Sequence, residues 1–438
     1  MHTTLKNVSH LHCIGIGGIG LSALARMFLL KGIPVSGSDI SESKVTDELI
    51  ELGARITFGQ EESTIEESVD LVLYTIAIPT DDPELIDAER RGITTMTYPE
   101  ALGFISKSFK TIAIAGTHGK TTTTAMTAEA LIASGLDPTV VVGSFLKNAE
   151  SNFISGKSSL FVVEACEYRE SFLHLNPNIL VITNIEEDHL DYYTDLNHII
   201  RAFNTLALKV PEDGYIIADL GNPTVQTALS GAVAHLVNYI DVLAEVEVSV
   251  PGEHNRKNAA AALSVARALG ASDDTAREAL RQFSGTWRRF EKKGETQDGV
   301  LVYDDYAHHP TEIRATLSAM RELYPDKKVL AIFQPHLFSR TRLLLHDFAQ
   351  AFTQATEVLI LPIYKAREVD GGTVSSLILA EETKKYHPKV QSVDTTQDTL
   401  RITRAFIEEN GASESVLITL GAGEAYKVGE QFLKEYTD

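Results

Sequence analysis

The chain has 438 residues, enough for roughly three domains, and its 44% hydrophobic and 23% charged residues are typical of globular proteins. Its 60 acidic residues outnumber its 39 lysines and arginines, which gives a formal net charge of −21. This acidic balance argues against a nucleic-acid partner and against an anionic membrane surface.

The amino-terminal stretch has the pattern of a nucleotide-binding unit. A strand predicted over residues 10–16 runs into the glycine box Gly15–Gly20, which matches G-x-G-x-x-G, and a helical pattern follows. The next predicted strand ends at Asp39, about 20 residues after Gly20, where a carboxylate can bind a ribose. We predict that this box binds a nucleotide diphosphate; a tight strand–helix crossing without a ligand is the alternative. The predicted ligands are Gly15, Gly17, Gly18, Gly20 and Asp39.

The alternation of strands and helices continues beyond this box. Further strands are predicted over 54–58, 71–74 and 94–97. We therefore place the first domain at residues 1–107, just before the strand of the next nucleotide motif.

The stretch 111–133 predicts an ATP site. A short apolar strand is followed by Gly-Thr-His-Gly-Lys-Thr and then by an Ala-rich helix, so backbone N–H groups and the helix N-terminus can hold phosphate oxygens. Lys120 would reach the terminal phosphates, and the Thr121 hydroxyl would hold Mg²⁺. The loop is shorter than the usual phosphate loop, because Ile114 stands where the first glycine is expected. The predicted ATP ligands here are Gly116, Thr117, His118, Gly119, Lys120, Thr121 and Thr122.

An ordinary strand–helix turn with an exposed lysine is the alternative for this loop. Four successive threonines open the helix, from Thr121 to Thr124. Threonine is a poor helix former, so helix propensity does not explain this run. We therefore favour the ATP site.

Two further residues are candidate ligands for a metal ion held by Thr121. A strand over 159–163 delivers Glu164, and a strand over 178–183 leads toward His189. Ligands of α/β sheets bind at the carboxyl ends of parallel strands, so both side chains could converge there. Mg²⁺ prefers oxygen ligands, which favours Glu164 over His189. The alternative is a surface loop acid and a hydrogen-bonded histidine.

Polar residues recur around the next predicted helix. After an irregular region over 215–250, Asn255 and Asn258 share one face of a helix start, where they would cap the helix or contact a purine. Arg288 and Arg289 are flanked by aromatic residues, which suits bidentate phosphate contact. A solvated hinge is the alternative for this arginine pair.

The remaining chain predicts another doubly wound, largely parallel sheet. Helical patterns separate strands predicted over 300–303, 328–333, 358–361 and 416–420. Polar clusters follow the first two of these strands. We place the central domain at 108–293 and the third domain at 294–438.

Laid end to end, these motifs resemble the Mur ligases. The matching segments, in the order usual for the family, are HCIGIGGIG, AGTHGKTTTT, TNIEEDHLDYY, GEHNRKNAAAAL, RRFE, DDYAHHPTEI, QPHLFSRT and LGAG. They extend from Leu11 to Gly423, nearly the whole chain. Two features depart from the family: Cys166 stands where an acid is usual, and the region 215–250 looks shorter.

The resemblance implies an α/β enzyme of three domains. A Rossmann-like amino-terminal domain would bind the UDP part of UDP-N-acetylmuramate, a central P-loop-type domain would bind ATP and Mg²⁺, and a Rossmann-like, doubly wound carboxy-terminal domain would bring in the amino acid. The motifs look most like those of members that join L-alanine to the lactyl carboxylate through an acyl phosphate, for peptidoglycan synthesis. The expected partners are therefore small molecules: UDP-N-acetylmuramate, L-alanine and ATP.

The resemblance also assigns roles to residues. It implies that Asn255 lies near the adenine of ATP. The implied metal ligands are Thr121, Glu164 and His189. The implied catalytic residues are Lys120, His189, His308, His336 and Arg340.

Other functions remain open on the sequence. A ligase that recycles a ready-made tripeptide onto the same sugar nucleotide is the nearest alternative, although its glycine box usually carries bulkier residues. A nicotinamide-dependent dehydrogenase would leave the loop at Gly116 without a role, and a non-catalytic scaffold would not need Lys120 and His189. Only two cysteines occur, and no stretch has the length of a membrane span, so we expect a cytoplasmic location without membrane insertion.

Overall fold

The computed structural model describes residues 8–59, 62–147, 149, 151–366 and 368–437. The chain divides into two compact units that are discontinuous in sequence. The first unit comprises Met1–Glu186, Leu196–Glu247 and Asn258–Arg281, and the second comprises Glu187–Asp195, Val248–Lys257 and Gln282–Asp438. The domain boundaries predicted after residues 107 and 293 stay predictions.

The first unit begins with a five-stranded parallel sheet in the order β3-β2-β1-β4-β5. All four residues of its central strand are buried, and the one polar side chain among them, His12, is hydrogen-bonded to Ser36 of β2. The elements are β1 (Leu11–Ile14), α1 (Ile19–Leu30), β2 (Val35–Asp39), α2 (Lys44–Glu51), β3 (Arg55–Phe58), β4 (Leu71–Tyr74), α3 (Pro83–Arg91), β5 (Thr94–Thr97) and α4 (Tyr98–Ser106).

A seven-stranded sheet completes the first unit, in the order β12-β11-β10-β6-β9-β7-β8. Only β8 runs antiparallel to its neighbour, and it forms a hairpin with β7. The elements are β6 (Lys110–Ala115), α5 (Lys120–Ala133), β7 (Thr139–Leu146), β8 (Ser151–Ile154), β9 (Leu160–Glu164), β10 (Ile179–Ile182), α6 (Leu196–Ala207), β11 (Tyr215–Ala218), α7 (Pro223–Ala228) and β12 (His235–Asn238).

The prediction that residues 215–250 are irregular is wrong. This region contains β11, α7, β12 and a 3-10 helix over Tyr239–Glu245. Strand β11, Tyr-Ile-Ile-Ala, is apolar but has only four residues, and the edge strand β12 is partly exposed, so β12 has no clear hydrophobic pattern. The pairing of β11 with β10 and of β12 with β11 defines them, and pairing between distant segments is not visible in local sequence.

The second unit is built on a six-stranded sheet in the order β13-β14-β18-β15-β16-β17. Only β13 is antiparallel to its neighbour. Its elements are β13 (Glu291–Glu295), β14 (Leu301–Asp305), α10 (Pro310–Leu323), β15 (Lys328–Phe333), α11 (Phe338–Leu343), α12 (Leu345–Ala349), β16 (Glu357–Ile360), α13 (Ser376–Thr383), β17 (Val390–Ser392), α14 (Thr396–Asn410), β18 (Ser415–Leu420) and α15 (Tyr426–Thr437).

Both faces of this sheet are covered by apolar side chains. Along β14, Leu301 and Tyr303 belong to one buried cluster, whereas Val302 belongs to the other. Strands buried on both faces are typical of doubly wound α/β sheets. The predicted α/β fold class, with mainly parallel sheets, is confirmed.

Two helices, α8 (Glu253–Ala268) and α9 (Asp273–Gln282), lie in the chain between the second and third sheets. The buried positions along α8 include a run of alanines, Ala259–Ala262. Within the described part of the chain, no helix combines the length and the apolar character needed to cross a membrane.

Candidate active site

The predicted ATP loop lies between β6 and α5 in the first unit, and two of its glycines are required by geometry. Gly116 and Gly119 have φ angles of +137° and +80°. A Cβ on Gly116 would lie 1.9 Å from the Thr183 hydroxyl, and one on Gly119 would lie 2.6 Å from the Asn258 side-chain oxygen. Any larger residue would be strained and would clash, so the backbone can turn here only with glycine.

This loop presents a helix N-terminus that has no side-chain cap. Gly119 is the residue before α5, and it offers no side chain to the first-turn N–H groups. Asn184 holds the loop from the other side, because its side-chain oxygen accepts a hydrogen bond from the His118 N–H at 2.9 Å. Uncapped N–H groups at the start of a helix favour an anion such as phosphate.

Lys120 is held at the mouth of this loop. Its Nζ donates to the Gly116 carbonyl at 2.6 Å and to the Thr117 carbonyl at 2.9 Å. It also lies 2.8 Å from a carboxylate oxygen of Glu167, which is buried. Burial by itself would lower the pKa of Lys120, but the Glu167 carboxylate offsets this and raises the pKa above its usual value. Lys120 is therefore a permanent positive charge beside the loop.

The two oxygen ligands predicted for Mg²⁺ in the first unit lie together. Thr121 Oγ1 donates to Glu164 Oε2 at 2.9 Å, and the Gly143 N–H donates to the same oxygen at 2.9 Å. Two oxygens bound at right angles to one Mg²⁺ at about 2.1 Å would lie about 3 Å apart, so this donor pair fits the ion in chemistry and in spacing. His189 belongs to the second unit, and its role as a ligand stays a prediction.

A cavity of about 250 Å³ opens beside this pair in the first unit. It is lined by the end of the glycine box, by α4 and by the segment after β9, including Gly18, Gly20, Tyr98, Glu164, Cys166 and Tyr168. The Tyr98 ring packs against Gly20, where an added Cβ would lie 2.7 Å from it. Cys166 is exposed, but desolvation by the surrounding protein and the nearby Glu167 carboxylate raise the pKa of its thiol to about 12, so the thiol stays neutral. The cavity therefore joins the glycine box to Glu164.

The glycine box lies where it was predicted, between β1 and α1. Gly15 has a φ angle of +80° and packs against Thr75. Asp39 Oδ2 accepts the Gly17 N–H at 2.7 Å, and Oδ1 accepts the Ile40 N–H at 2.7 Å. Asp39 therefore supports the turn itself, and its contact with a ribose stays a prediction.

Four of the five predicted catalytic residues, all except Lys120, lie in the second unit, and three of them form a cluster. His308 and His336 lie with ring centroids 6.1 Å apart, and His336 Nδ1 lies 3.3 Å from Arg340 Nη1. Arg340 forms a buried ion pair with Asp188, at 3.0 Å from Nη2 to Oδ1. Because of this pair, the pKa of Asp188 is well below its usual range although burial opposes the shift.

His308 and His309 are fixed by the start of α10. Both backbone N–H groups donate to Glu312 Oε2, at 2.9 and 3.2 Å. His308 Nδ1 lies 3.2 Å from the Tyr306 carbonyl, which fits a tautomer with the proton on Nδ1. Burial lowers the pKa of His308 to about 3, so its imidazole is neutral.

The two arginines of the RRFE segment have different surroundings. The Arg288 guanidinium is buried and donates to Asp304 Oδ2 at 2.8 Å, to the Gly423 carbonyl at 3.0 Å and to the Gly421 carbonyl at 2.6 Å. The Arg289 guanidinium is partly exposed and lies 4.9 Å from the centre of the Tyr306 ring. These contacts favour a structural role for Arg288 and leave phosphate contact to Arg289.

The two asparagines of the GEHN segment also differ. Asn255 Nδ2 donates to the carbonyl of Pro251, which precedes α8, at 2.7 Å. Asn258 lies against Gly119 of the ATP loop in the first unit. The predicted contact between Asn255 and adenine stays a prediction.

Three acids with clear structural partners were not singled out from the sequence. Glu167 holds Lys120, Asp188 holds Arg340, and Glu312 accepts from two histidine N–H groups. Asp188 and Glu312 lie inside segments quoted for the resemblance, and Glu167 directly follows Cys166. Their position near the carboxyl ends of strands was the available signal.

Comparison with known proteins assigns the family. Three family models match successive parts of the chain: "Mur ligase family, catalytic domain" over residues 10–110, "Mur ligase middle domain" over 114–239, and "Mur ligase, glutamate ligase domain" over 288–423. The chain belongs to the Mur ligase family. The resemblance inferred from the motifs is confirmed, and so is ATP as the nucleotide that Mur ligases use.

Full-length Mur ligases resemble the chain along its whole length. It is 40% identical to the UDP-N-acetylmuramate--L-alanine ligase of Clostridium acetobutylicum, over 99% of this chain and 100% of that protein. It is 41% identical to the enzyme of the same name from Lachnospira eligens, over 98% of this chain and 99% of that protein.

Solved structures of Mur ligases have the same fold. The UDP-N-acetylmuramate-alanine ligase MurC of Thermotoga maritima superposes with a TM-score of 0.81 at 26% identity, covering 98% of this chain and 99% of that one. A murein peptide ligase of Psychrobacter arcticus gives a TM-score of 0.72 at 24% identity, with the same coverage, and at that identity it supports the fold alone.

Proposed function

We propose that this Mur ligase joins L-alanine to the lactyl carboxylate of UDP-N-acetylmuramate and converts ATP to ADP and phosphate. The observation that carries the proposal is the ATP loop with Lys120 beside the Thr121–Glu164 pair, in a chain 40% identical over its full length to a relative named for this reaction. The product would be UDP-N-acetylmuramoyl-L-alanine, a precursor of peptidoglycan.

The reaction would proceed in two steps. A lactyl carboxylate oxygen attacks the γ-phosphorus of ATP, and the bond to the bridging oxygen breaks to release ADP. The amine of L-alanine then attacks the carbonyl carbon of the acyl phosphate, phosphate leaves, and the nitrogen loses a proton. Phosphoryl transfer depends on positioning and on charge neutralisation more than on covalent help from the protein.

Lys120 supplies the positive charge for the first step. Its two carbonyl contacts and its contact with Glu167 hold the ammonium at the loop, where phosphate oxygens can replace one of these acceptors. Thr121 and Glu164 would hold Mg²⁺, which when bound neutralises charge on the phosphates. Dependence on Mg²⁺ and the third ligand, His189, are parts of this proposal.

The second unit supplies groups suited to the amino acid. With its proton on Nδ1, neutral His308 has a lone pair on Nε2 that can accept a hydrogen bond from the amine of L-alanine. Arg289 can contact a phosphate, and Arg340 and His336 can contact substrate or the transferred phosphate. Binding of UDP by the glycine box and a cytoplasmic location complete the proposal.

Product mass tests this function directly. The purified chain is incubated with UDP-N-acetylmuramate, ATP and Mg²⁺, together with L-alanine, glycine, L-serine or the tripeptide of the recycling reaction. We expect efficient addition of L-alanine and weaker addition of glycine, because one methyl group in an apolar pocket is worth roughly 1 kcal/mol. Transfer of the tripeptide without transfer of L-alanine would overturn the proposal.

A further inference from the structure

One carboxylate oxygen in the second unit holds two residues at once. Asp188 lies in the segment Glu187–Asp195, which follows strand β10 of the seven-stranded sheet in sequence but belongs to the second unit. Its Oδ1 atom accepts hydrogen bonds from the Arg340 side chain and from the His189 backbone. Both partners are predicted catalytic residues, whereas Asp188 itself has been given no role.

The contact with Arg340 fixes the orientation of its guanidinium. Nε lies 3.2 Å and Nη2 lies 3.0 Å from Asp188 Oδ1, so two of the three guanidinium nitrogens are anchored on one oxygen. The third nitrogen, Nη1, lies 3.3 Å from His336 Nδ1. The side chains of Arg340 and Asp188 are each only 7% exposed. A planar guanidinium held in this way cannot rotate without breaking a buried, charge-assisted contact.

The contact with His189 fixes a strained backbone. His189 has a φ angle of +52°, in the left-handed region that residues other than glycine seldom adopt. Its N–H donates to Asp188 Oδ1 at 2.7 Å, which supports this conformation locally. The direction in which the His189 side chain leaves the backbone therefore depends on the same oxygen that orients Arg340.

A buried ion pair with a purely structural role is the competing explanation. Such pairs contribute little net stability, because desolvation of both charges offsets their attraction. Asp188 does more than neutralise Arg340, because its Oδ1 atom binds both the Arg340 side chain, which lies on α11, and the backbone N–H of His189. That arrangement serves to keep two side chains in a fixed relation.

We propose that Asp188 is a positioning residue that holds Arg340 and His189 in the arrangement needed for turnover. The inference rests on the proposed ligase function. Asp188 need not touch substrate, and it acts through these two residues. Its loss should reduce kcat, while the KM for UDP-N-acetylmuramate, whose predicted ligands lie in the first unit, should stay unchanged.

The test compares Asp188→Asn with Glu187→Gln. The asparagine keeps the size and one acceptor oxygen but removes the charge that holds Arg340, whereas Glu187 is an exposed acid one residue away. We expect kcat to fall roughly tenfold to hundredfold in Asp188→Asn, as when a residue that orients a catalytic group is lost. Glu187→Gln should retain wild-type kcat. Equal kcat values for both variants would overturn the inference.

A double-mutant cycle separates positioning from general destabilisation. Asp188→Asn is combined with Arg340→Lys, and kcat and the thermal midpoint are measured for all four proteins. If Asp188 acts through Arg340, Arg340→Lys should lower kcat much less in the Asp188→Asn background than it does in the wild-type chain. Full additivity on kcat would contradict the proposal, even if the thermal midpoint falls.

Two further measurements keep the test decisive. If Asp188→Asn does not fold, Asp188→Glu is tested instead. It keeps the charge but displaces it by one methylene, and it should fold with a reduced kcat; wild-type kcat in Asp188→Glu would then overturn the inference.

Release of phosphate that depends on L-alanine is first established for the wild-type chain. Its absence there would contradict the proposed function, whereas its presence with an insensitive Asp188 would contradict only the positioning role.

Discussion

The two units hold their functional cations in different ways. In the first unit, Lys120 donates from one ammonium to two backbone carbonyls and to Glu167. In the second unit, Arg288 and Arg340 have planar guanidinium groups anchored at two or three nitrogens by buried acceptors. A lysine on a flexible stem can exchange one acceptor for a phosphate oxygen, but an anchored arginine cannot move without leaving buried groups unpaired.

This difference suits Lys120 to exchange its contacts and suits the two arginines to keep a fixed position. The ammonium of Lys120 can give up one of its hydrogen bonds to the protein when ATP binds. The two arginines should keep the same contacts with and without bound substrates. Substitutions in the first unit should therefore affect turnover more than stability, and substitutions of the anchored arginines should affect stability as well.

Replacement of Lys120 should have the largest effect. Lys120→Ala removes the charge aimed at the transferring phosphate, so we expect kcat/KM to fall on the order of a hundredfold or more. The fold should persist, because the loop is shaped by Gly116 and Gly119, although the buried Glu167 carboxylate loses its cation and the stability should fall. Phosphate release and circular dichroism are the measurements. Lys110→Ala, at the exposed start of the same strand β6, is the matched control and should retain full activity. A folded Lys120→Ala variant with near-normal turnover would contradict the role.

The anchored Arg288 provides the opposite case. Arg288→Ala leaves the fully buried Asp304 carboxylate without its cation, which should lower the free energy of unfolding by about 3–5 kcal/mol. Urea unfolding, followed by Trp287 fluorescence, measures this change. Arg289→Ala is the control: its side chain is partly exposed, so stability should change little while the KM for ATP rises. Equal stability losses in both variants would remove the distinction between the two arginines.

The oxygen pair of the first unit predicts a metal dependence. Glu164→Gln replaces the carboxylate that accepts from Thr121 and Gly143 with a neutral amide. We expect the Mg²⁺ concentration for half-maximal activity to rise roughly tenfold, because a neutral oxygen binds a hard cation more weakly. Glu212→Gln, in an exposed turn of the same unit, should leave this concentration unchanged. An unaltered Mg²⁺ dependence in Glu164→Gln would place the metal elsewhere.

Cys166 should have the smallest effect, although it lines the cavity beside Glu164. Its thiol has a pKa of about 12, so it is neutral across the working range, and we expect Cys166→Ala to change turnover by no more than about twofold. The raised pKa also predicts slow alkylation. The rate with iodoacetamide should keep rising with pH toward about 12, because only the thiolate reacts. A rate that is half-maximal near about pH 8.5 and levels off above it would show an ordinary thiol and would contradict the raised pKa.

Local sequence determined most of the secondary structure and the motifs. The predicted strands over 71–74, 94–97 and 328–333 have the same bounds in the structure. Two of them are apolar runs that are largely buried, whereas 94–97 is Thr-Thr-Met-Thr, in which β-branched residues favour a strand. The glycine box and the loop at Gly116 were visible for another reason: Gly15, Gly116 and Gly119 have positive φ angles, which favour glycine. The α/β class followed from the alternation of these elements.

Only the tertiary structure decided which polar side chains pair. Lys120 and Glu167 are in contact although they are 47 positions apart in sequence. Asp188 and Arg340 are 152 positions apart. No local pattern records such pairs, because the order of the strands in the sheets and the packing of loops bring them together. The short strands β11 and β12 were missed for the same physical reason: their hydrogen bonds to neighbouring strands, rather than their own residues, make them part of the sheet.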